Sequence, residues 1–302
     1  MTPFKLFDPA SWAKLLLPCL LFGSAWGDNL AADALRSRFA MASQQAIRIV
    51  DDQPIFLQST EVSDRLQGEV YALLDHRFDD ISPALGLAAH WCDILILHLN
   101  VKYCRASPGV SLETLDAGIG RKFDQPLSDV YWLRFAYRAT GGAGEGLLAV
   151  SLQSPVGPLG TRDYRIEVQA TPFAAGQTIL HLRYSYTYGM AAKLAMQAYL
   201  ATVGSEKVGF SIIGQLSDGQ PIRVRGVRGM LERNTLRYYL AIQAFLGAQH
   251  LPETKQLQAR LQDWFTATER YAQQLHEIDR QPYVEMKLRE AQRQRTQAAP
   301  KP

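Results

Sequence analysis

The chain has 302 residues, 47% hydrophobic and 20% charged, with Gly and Pro scattered along it, a composition that excludes a disordered polypeptide and suffices for a sizeable core. Formal net charge is only +3. Six Lys or Arg between Arg280 and Pro302, against Glu285 and Glu290, more than supply that excess, so the body is slightly acidic and nucleic-acid binding is not expected.

In chain order, Lys5 and Lys14 precede an apolar run, "LLLPCLLFGSAW", of about a dozen residues, too short to span a bilayer and of the size of a signal-peptide core. Ala25 and Gly27 around Trp26 form a small-residue cleavage site before Asp28. Residues 1–27 therefore read as a signal peptide, which places the mature chain in the periplasm or outside the cell; a buried amphipathic helix is the competing reading. Leu16, Leu17 and Pro18 precede Cys19 and do not make a lipoprotein box, so Cys19 leaves with the leader. Losing Lys5, Lys14 and Asp8 takes the net charge from +3 to +2. Residues 28–54 are a lead-in segment.

"RLQGEVYALLDH" alternates around Leu66, Val70, Ala72 and Leu74 like a strand, and "RFDDISPALGLAAHWCDIL" reads as one or two short helices broken at Pro83 and Gly86. The stretch "HWCDILILHLNVKYC" holds Cys92 and Cys104, the two cysteines of the mature chain. An even count in an oxidising compartment reads first as a disulfide, and closing a loop of about a dozen residues stabilises by roughly 3 kcal/mol in the chain-entropy account. Zinc would need four ligands. Cys92, His98 and Cys104 supply three without paired C-x-x-C spacing, so no metal and no cofactor are expected.

Strands follow at "LHLNVKYCRA", "SLETLDAGI" and "VYWLRFAYRA"; the last sets Tyr131, Leu133, Phe135 and Tyr137 on one face against Trp132, Arg134, Ala136 and Arg138. "GGAGEG" lacks the spacing of a phosphate loop and is a hairpin turn. "GLLAVSLQSPVG", "RDYRIEVQATPF" and "QTILHLRYSYTYG" complete a six-stranded antiparallel meander, with Leu180, Leu182, Tyr184, Tyr186 and Tyr188 on one face of the last strand. "MAAKLAMQAYLATVG" is a helix closed by Gly204, "IRVRGV" a short strand, and a second long helix begins near Met230. Helices fill the remainder from about Pro252.

A strand, two short helices, a meander and a long helix are the order of the helix-grip fold. On "GEVYALLDHRFDDISPAL" and "GPLGTRDYRIEVQATPFAAGQTILHLRYSYTYG" the chain resembles the START-like superfamily over roughly residues 55–250. The resemblance implies an α+β domain of 55–250, a curved antiparallel sheet of about seven strands around a long helix, with residues 251–302 a C-terminal helical extension ending in a basic tail. It also implies a cavity between sheet and helix. Candidate lining residues are Tyr131, Leu133, Phe135, Tyr137, Leu182, Tyr184, Tyr186 and Tyr238, since that inward set is rich in tyrosines whose hydroxyls need partners. Arg233 and Arg237, four apart on one helix face, are candidate head-group anchors; pairing with Glu232, Glu269 or Glu277 is the alternative. No hydrolase elbow, Walker loop or metalloprotease motif occurs. His98, His181, Asp116 and Asp163 are the acid/base groups on the sheet, and His181 with Arg183 belongs to the face opposite the apolar one. The expected function is binding or transport of a hydrophobic or amphipathic small molecule. A cavity enzyme of the cyclase or hydratase kind, or a protein-interaction module using the C-terminal helices with Trp264, Phe265 and Tyr271, are the alternatives. Peripheral membrane contact is expected of the basic tail.

Overall fold

The computed structural model describes residues 23–45, 47–49, 54–109, 112–189, 193–194, 198 and 206–296. The leader through residue 22, most of the helix expected over 190–204 and the tail from residue 297 lie outside the described residues. The elements are α1 (Gly23–Gln45), β1 (Ile47–Ile49), β2 (Ile55–Val62), β3 (Arg65–Leu74), α2 (Phe78–Leu85), α3 (Ala88–Leu95), β4 (Val101–Ser107), β5 (Glu113–Ile119), β6 (Tyr131–Gly142), β7 (Leu147–Val156), β8 (Thr161–Pro172) and β9 (Thr178–Tyr188). After them come β10 (Ile212–Gln215), β11 (Pro221–Arg223), α4 (Gly226–Gly247), α5 (Glu253–Glu269), α6 (Ala272–Leu275) and α7 (Arg280–Thr296).

Nine strands form one antiparallel sheet in the order β1-β2-β3-β9-β8-β7-β6-β5-β4. The two short helices carry the chain from β3 to the far edge at β4, and the meander then returns until β9 pairs with β3. Pro83 sits inside α2 without ending it; the helix stops at Gly86, whose N–H bonds to Ser82 O at 2.9 Å. The β6–β7 turn needs its glycines, since Gly141, Gly144 and Gly146 all have left-handed φ, at 76°, 92° and 72°. The sheet grips α4, as the helix-grip order requires. It has two strands more than about seven, because β1 and β2 extend its edge within and beyond the expected lead-in. That lead-in also contains most of α1, which runs through the expected cleavage position at Asp28.

The helix α4 is seated on β2, β3 and β9 by shape and by charge. At Gly68 on β3 a Cβ would overlap Thr235 Oγ1 and stand 3.3 Å from Leu231 Cγ, so glycine lets the helix approach the strand closely. One turn earlier, the fully buried Glu232 accepts from Ser59 Oγ (2.5 Å) on β2, Ser211 Oγ (2.5 Å), and the backbone N–H of Phe210 (2.6 Å) and Ser211 (2.9 Å). Four donors on one carboxylate satisfy a buried charge that would otherwise be costly.

On the opposite face of the sheet, α1 packs Ala32, Leu35 and Ala42 on Phe56, Tyr71 and Ile179, with the Phe39 ring 5.9 Å from that of Phe56. At the far edge α7 closes the extension. Tyr283 stacks on Trp264 at 5.0 Å and donates to Leu97 O at 2.9 Å. Glu290 pairs with Lys102 of β4 (3.0 Å) and Lys287 (2.8 Å), all three fully buried. Burial pushes the Lys287 ammonium down to about 8, against the pull of Glu290, so it stays mostly charged at neutral pH and Glu290 is shared by two cations. Of the six basic residues of the expected tail, Lys287 is buried, Arg289 and Arg293 pair with Asp124 and Arg280 lies over the Phe265 ring, while Arg295 is exposed and Lys301 lies outside the described residues. Cys92 in α3 and Cys104 in β4 are joined by a disulfide with Cα atoms 5.1 Å apart, and Gln294 Oε1 accepts from the Cys104 N–H at 3.0 Å.

Replacing Glu232 by Ala strands two hydroxyls and two amides at about 1 kcal/mol or more each. The expected loss in urea unfolding is at least about 3 kcal/mol; a loss below about 1 kcal/mol would show that the helix is not held there.

Candidate functional site

Period-2 alternation decides which side chains of β6 and β9 meet α4. Leu133, Phe135 and Tyr137 point inward and are buried, as are Leu182, Tyr184 and Tyr186. Tyr131 departs from the expectation: it opens β6 beyond the cover of the helices and is 50% exposed. The inner tyrosines form a ring cluster with α4. Tyr184 lies 5.2 Å from Tyr238 and 5.6 Å from Tyr186, and Tyr186 stacks on Tyr164 of β8 at 5.0 Å. Tyr164 carries no inward alternation signal, because the β8 register shifts between Arg162 and Arg165.

The hydroxyls of this cluster divide in two. Tyr137 donates to Leu85 O at 3.3 Å and Tyr188 to Glu61 Oε1 at 2.6 Å. Tyr186 and Tyr238 have no hydrogen-bond partner among the described residues. Burial pushes both phenols well above the ordinary tyrosine range, yet neither hydroxyl oxygen is among the fully buried polar atoms, so both keep accessible surface. A hydroxyl placed so is met by water or by the polar end of a ligand.

His98 stacks on Tyr238 at 4.7 Å. Burial, followed by the charges of Arg237, Lys287 and Lys122, pushes its imidazole well below the usual range, so it is neutral. Its Nδ1 accepts the Asn100 N–H at 3.1 Å, which puts the ring proton on Nε2. The lone pair that a general base needs is therefore occupied. Arg233 and Arg237, expected as head-group anchors, are buried among protein partners instead. Arg237 bonds Glu277 Oε1 at 2.8 Å and Leu275 O at 3.1 Å, and Arg233 bonds Val208 O at 3.2 Å. Asp116 pairs with Arg134 on the exposed face, and Asp163 is solvent-facing beside Arg162.

His181 and Arg183 do lie on the face opposite the apolar one, but α1 shields that face. His181 is 3% exposed, stacked on Tyr71 at 4.2 Å and bonded through Nε2 to Glu69 Oε1 at 3.0 Å. Glu69 also accepts from Gln58 (2.6 Å) and Arg183 (3.0 Å). Burial works against its ionisation, but the bonds from His181 and Gln58 and the Arg183 charge outweigh it and hold the carboxyl at about 2. Burial lowers His181. Among the described residues no group of three or more His, Cys, Asp or Glu is gathered to hold a metal, and no helix is long and apolar enough to cross a membrane.

No protein-family model matches the chain, and no curated protein matches it in sequence. Solved structures are similar to part of it. A norcoclaurine synthase point mutant from Thalictrum flavum, in complex with a transition-state analogue, is 14% identical over 48% of this chain and 89% of its own, with a TM-score of 0.34. Human StAR-related lipid transfer protein 5 is 8% identical over 58% and 90%, with a TM-score of 0.34. A STAR-related lipid transfer protein fragment from Xanthomonas axonopodis is 14% identical over 52% and 90%, with a TM-score of 0.35. Values this low carry no ligand or reaction over to this chain.

Both Glu69 and His181 have folded-state values below their unfolded ones, so in acid the unfolded chain binds more protons and stability rises with pH. Stability is expected to fall as pH drops from about 6.5 for His181, and further from about 4.5 toward 2 for Glu69. Urea midpoints between pH 7 and pH 3 check this, with Glu69→Gln flattening the lower part; parallel curves for the two proteins would contradict it.

Proposed function

We propose that this chain binds a hydrophobic or amphipathic small molecule between the inner sheet face and α4, without chemistry of its own, and does so in the periplasm or outside the cell. The observation that carries the reading is a pair of largely buried phenols, Tyr186 and Tyr238, whose hydroxyls have no protein partner among the described residues and keep accessible surface beside an inner face otherwise lined by Leu133, Phe135 and Leu182. A few polar groups converging on apolar lining are the ordinary make-up of a small-molecule site. An amphipathic ligand would set its polar end on the two phenols and its apolar part along the leucines. The enzyme alternative finds less support, since the His98 lone pair is occupied by the Asn100 amide and His181 belongs to the other face of the sheet. Export is supported by the Cys92–Cys104 disulfide, which suits an oxidising compartment, together with the leader-like first 27 residues.

Native mass spectrometry of protein isolated from its own compartment tests the reading. The expected result is one small-molecule adduct per chain, removed by organic extraction, on a polypeptide whose mass starts at Asp28. Tyr186→Phe and Tyr238→Phe should each weaken rebinding of the extracted molecule about fivefold, the worth of one hydrogen bond near 1 kcal/mol, and leave folding stability nearly unchanged. Protein that carries no adduct and takes up none contradicts the proposal.

A further inference from the structure

The outer face of the sheet carries a cleft of ≈ 340 Å³ that the inner-face reading does not use. Its floor lies at Ala149 and Ser151 of β7, small residues placed between larger ones: Arg138 stands across from Ser151 on β6, and Glu167 across from it on β8. The surface dips at β7 for that reason. α1 overhangs one side, held by Arg38 Nη2 donating to Gln169 Oε1 at 2.8 Å. Three guanidinium groups from three elements, Arg38, Arg138 and Arg183, line this one depression. Arg183 is balanced by Glu69 and Glu167, at 3.0 and 3.3 Å. Arg138 has no ion-pair or hydrogen-bond partner among the described residues.

His181 adds a directed acceptor. Its Nε2 faces the carboxylate of Glu69 at 3.0 Å, and a carboxylate accepts, so the ring proton lies on Nε2 and the lone pair on Nδ1. Stacking on Tyr71 at 4.2 Å and 9° fixes the ring plane, and no donor meets Nδ1 among the described residues. The Glu69 bond orients the imidazole as a second partner does in acid/base and ligand sites.

We infer that this cleft is a second ligand site, taking a small organic carboxylate that Arg38 and Arg138 hold by its charge while a hydroxyl of the same molecule donates to His181 Nδ1. Charge counting selects the class. Three arginines against Glu69 and Glu167 leave a net of +1 with His181 neutral, which matches a monoanion better than a phosphate near −2. The planar guanidinium fork suits a carboxylate as well. The inference stands apart from the inner-face reading, since the sheet separates the two sites.

The test is a titration of the full chain, followed by the His181 ring resonances in NMR, with lactate and inorganic phosphate as probes. Saturable binding of lactate, tighter than that of phosphate, is the expected result. Arg138→Gln removes a group with no structural partner and should weaken lactate at least about tenfold, the worth of a charge-assisted bond; Tyr238→Phe should leave lactate unchanged. Absence of saturation, tighter phosphate binding, or unchanged lactate affinity in Arg138→Gln would each overturn the assignment.

Discussion

Everything described here depends on how α4 is pressed onto β2, β3 and β9. The seat is made by an absence and a charge: no side chain at Gly68, which brings Thr235 and Leu231 down onto the strand, and the buried Glu232 carboxylate, which gathers β2, the segment at Phe210 and Ser211, and the helix onto one group. A carboxylate with four donors has no better position available, so it fixes the rotation of the helix as well as its height. That rotation brings Tyr238 against Tyr184 and His98, and thereby sets the polarity of the inner wall.

The C-terminal extension belongs to the same body. α7 inserts Tyr283, Lys287 and Glu290 against the corner at residues 97–102, which the disulfide pins from the other side. Two lysines sharing one buried carboxylate are tolerated with the help of the carbonyls of His98 and Val101, which accept from Lys287 at 2.7 and 2.8 Å. The edge strand β4 is thereby covered, through the Gln294 contact to the Cys104 amide among others, which removes an exposed pairing edge.

Much of this was legible in the sequence where one face of an element is wet and the other dry. The meander from β4 to β9, the two short helices and the disulfide follow from alternation, turn glycines and cysteine parity. β2 was not legible, because Ile55, Phe56 and Leu57 are all buried: α1 covers one face of that strand and α4 the other, so the alternation vanishes. α1 itself was hidden by its overlap with the leader pattern and by a buried stripe as slight as Ala32, Leu35 and Ala42. Tyr131 was misplaced because alternation gives the face of a residue and not the point where the covering helices end. His181, placed by alternation on the face opposite the apolar one, is nevertheless buried for the complementary reason, that a helix unseen in the sequence covers it. The pairing of Arg237 with Glu277, one of the alternatives the sequence offered, joins residues 40 apart, so no local pattern selects it over Glu232 or Glu269.

The two faces of the sheet are chemically opposite: an inner wall of leucines and phenols, and an outer cleft of arginines around an oriented imidazole. The central claim concerns the inner wall, and calorimetric titration of extracted protein with a medium-chain fatty acid at several temperatures tests it most directly. Burial of an apolar chain against Leu133, Phe135 and Leu182 predicts one-to-one binding with a negative heat-capacity change. No saturable heat at any temperature would contradict the account and leave the tyrosine cluster as packing alone.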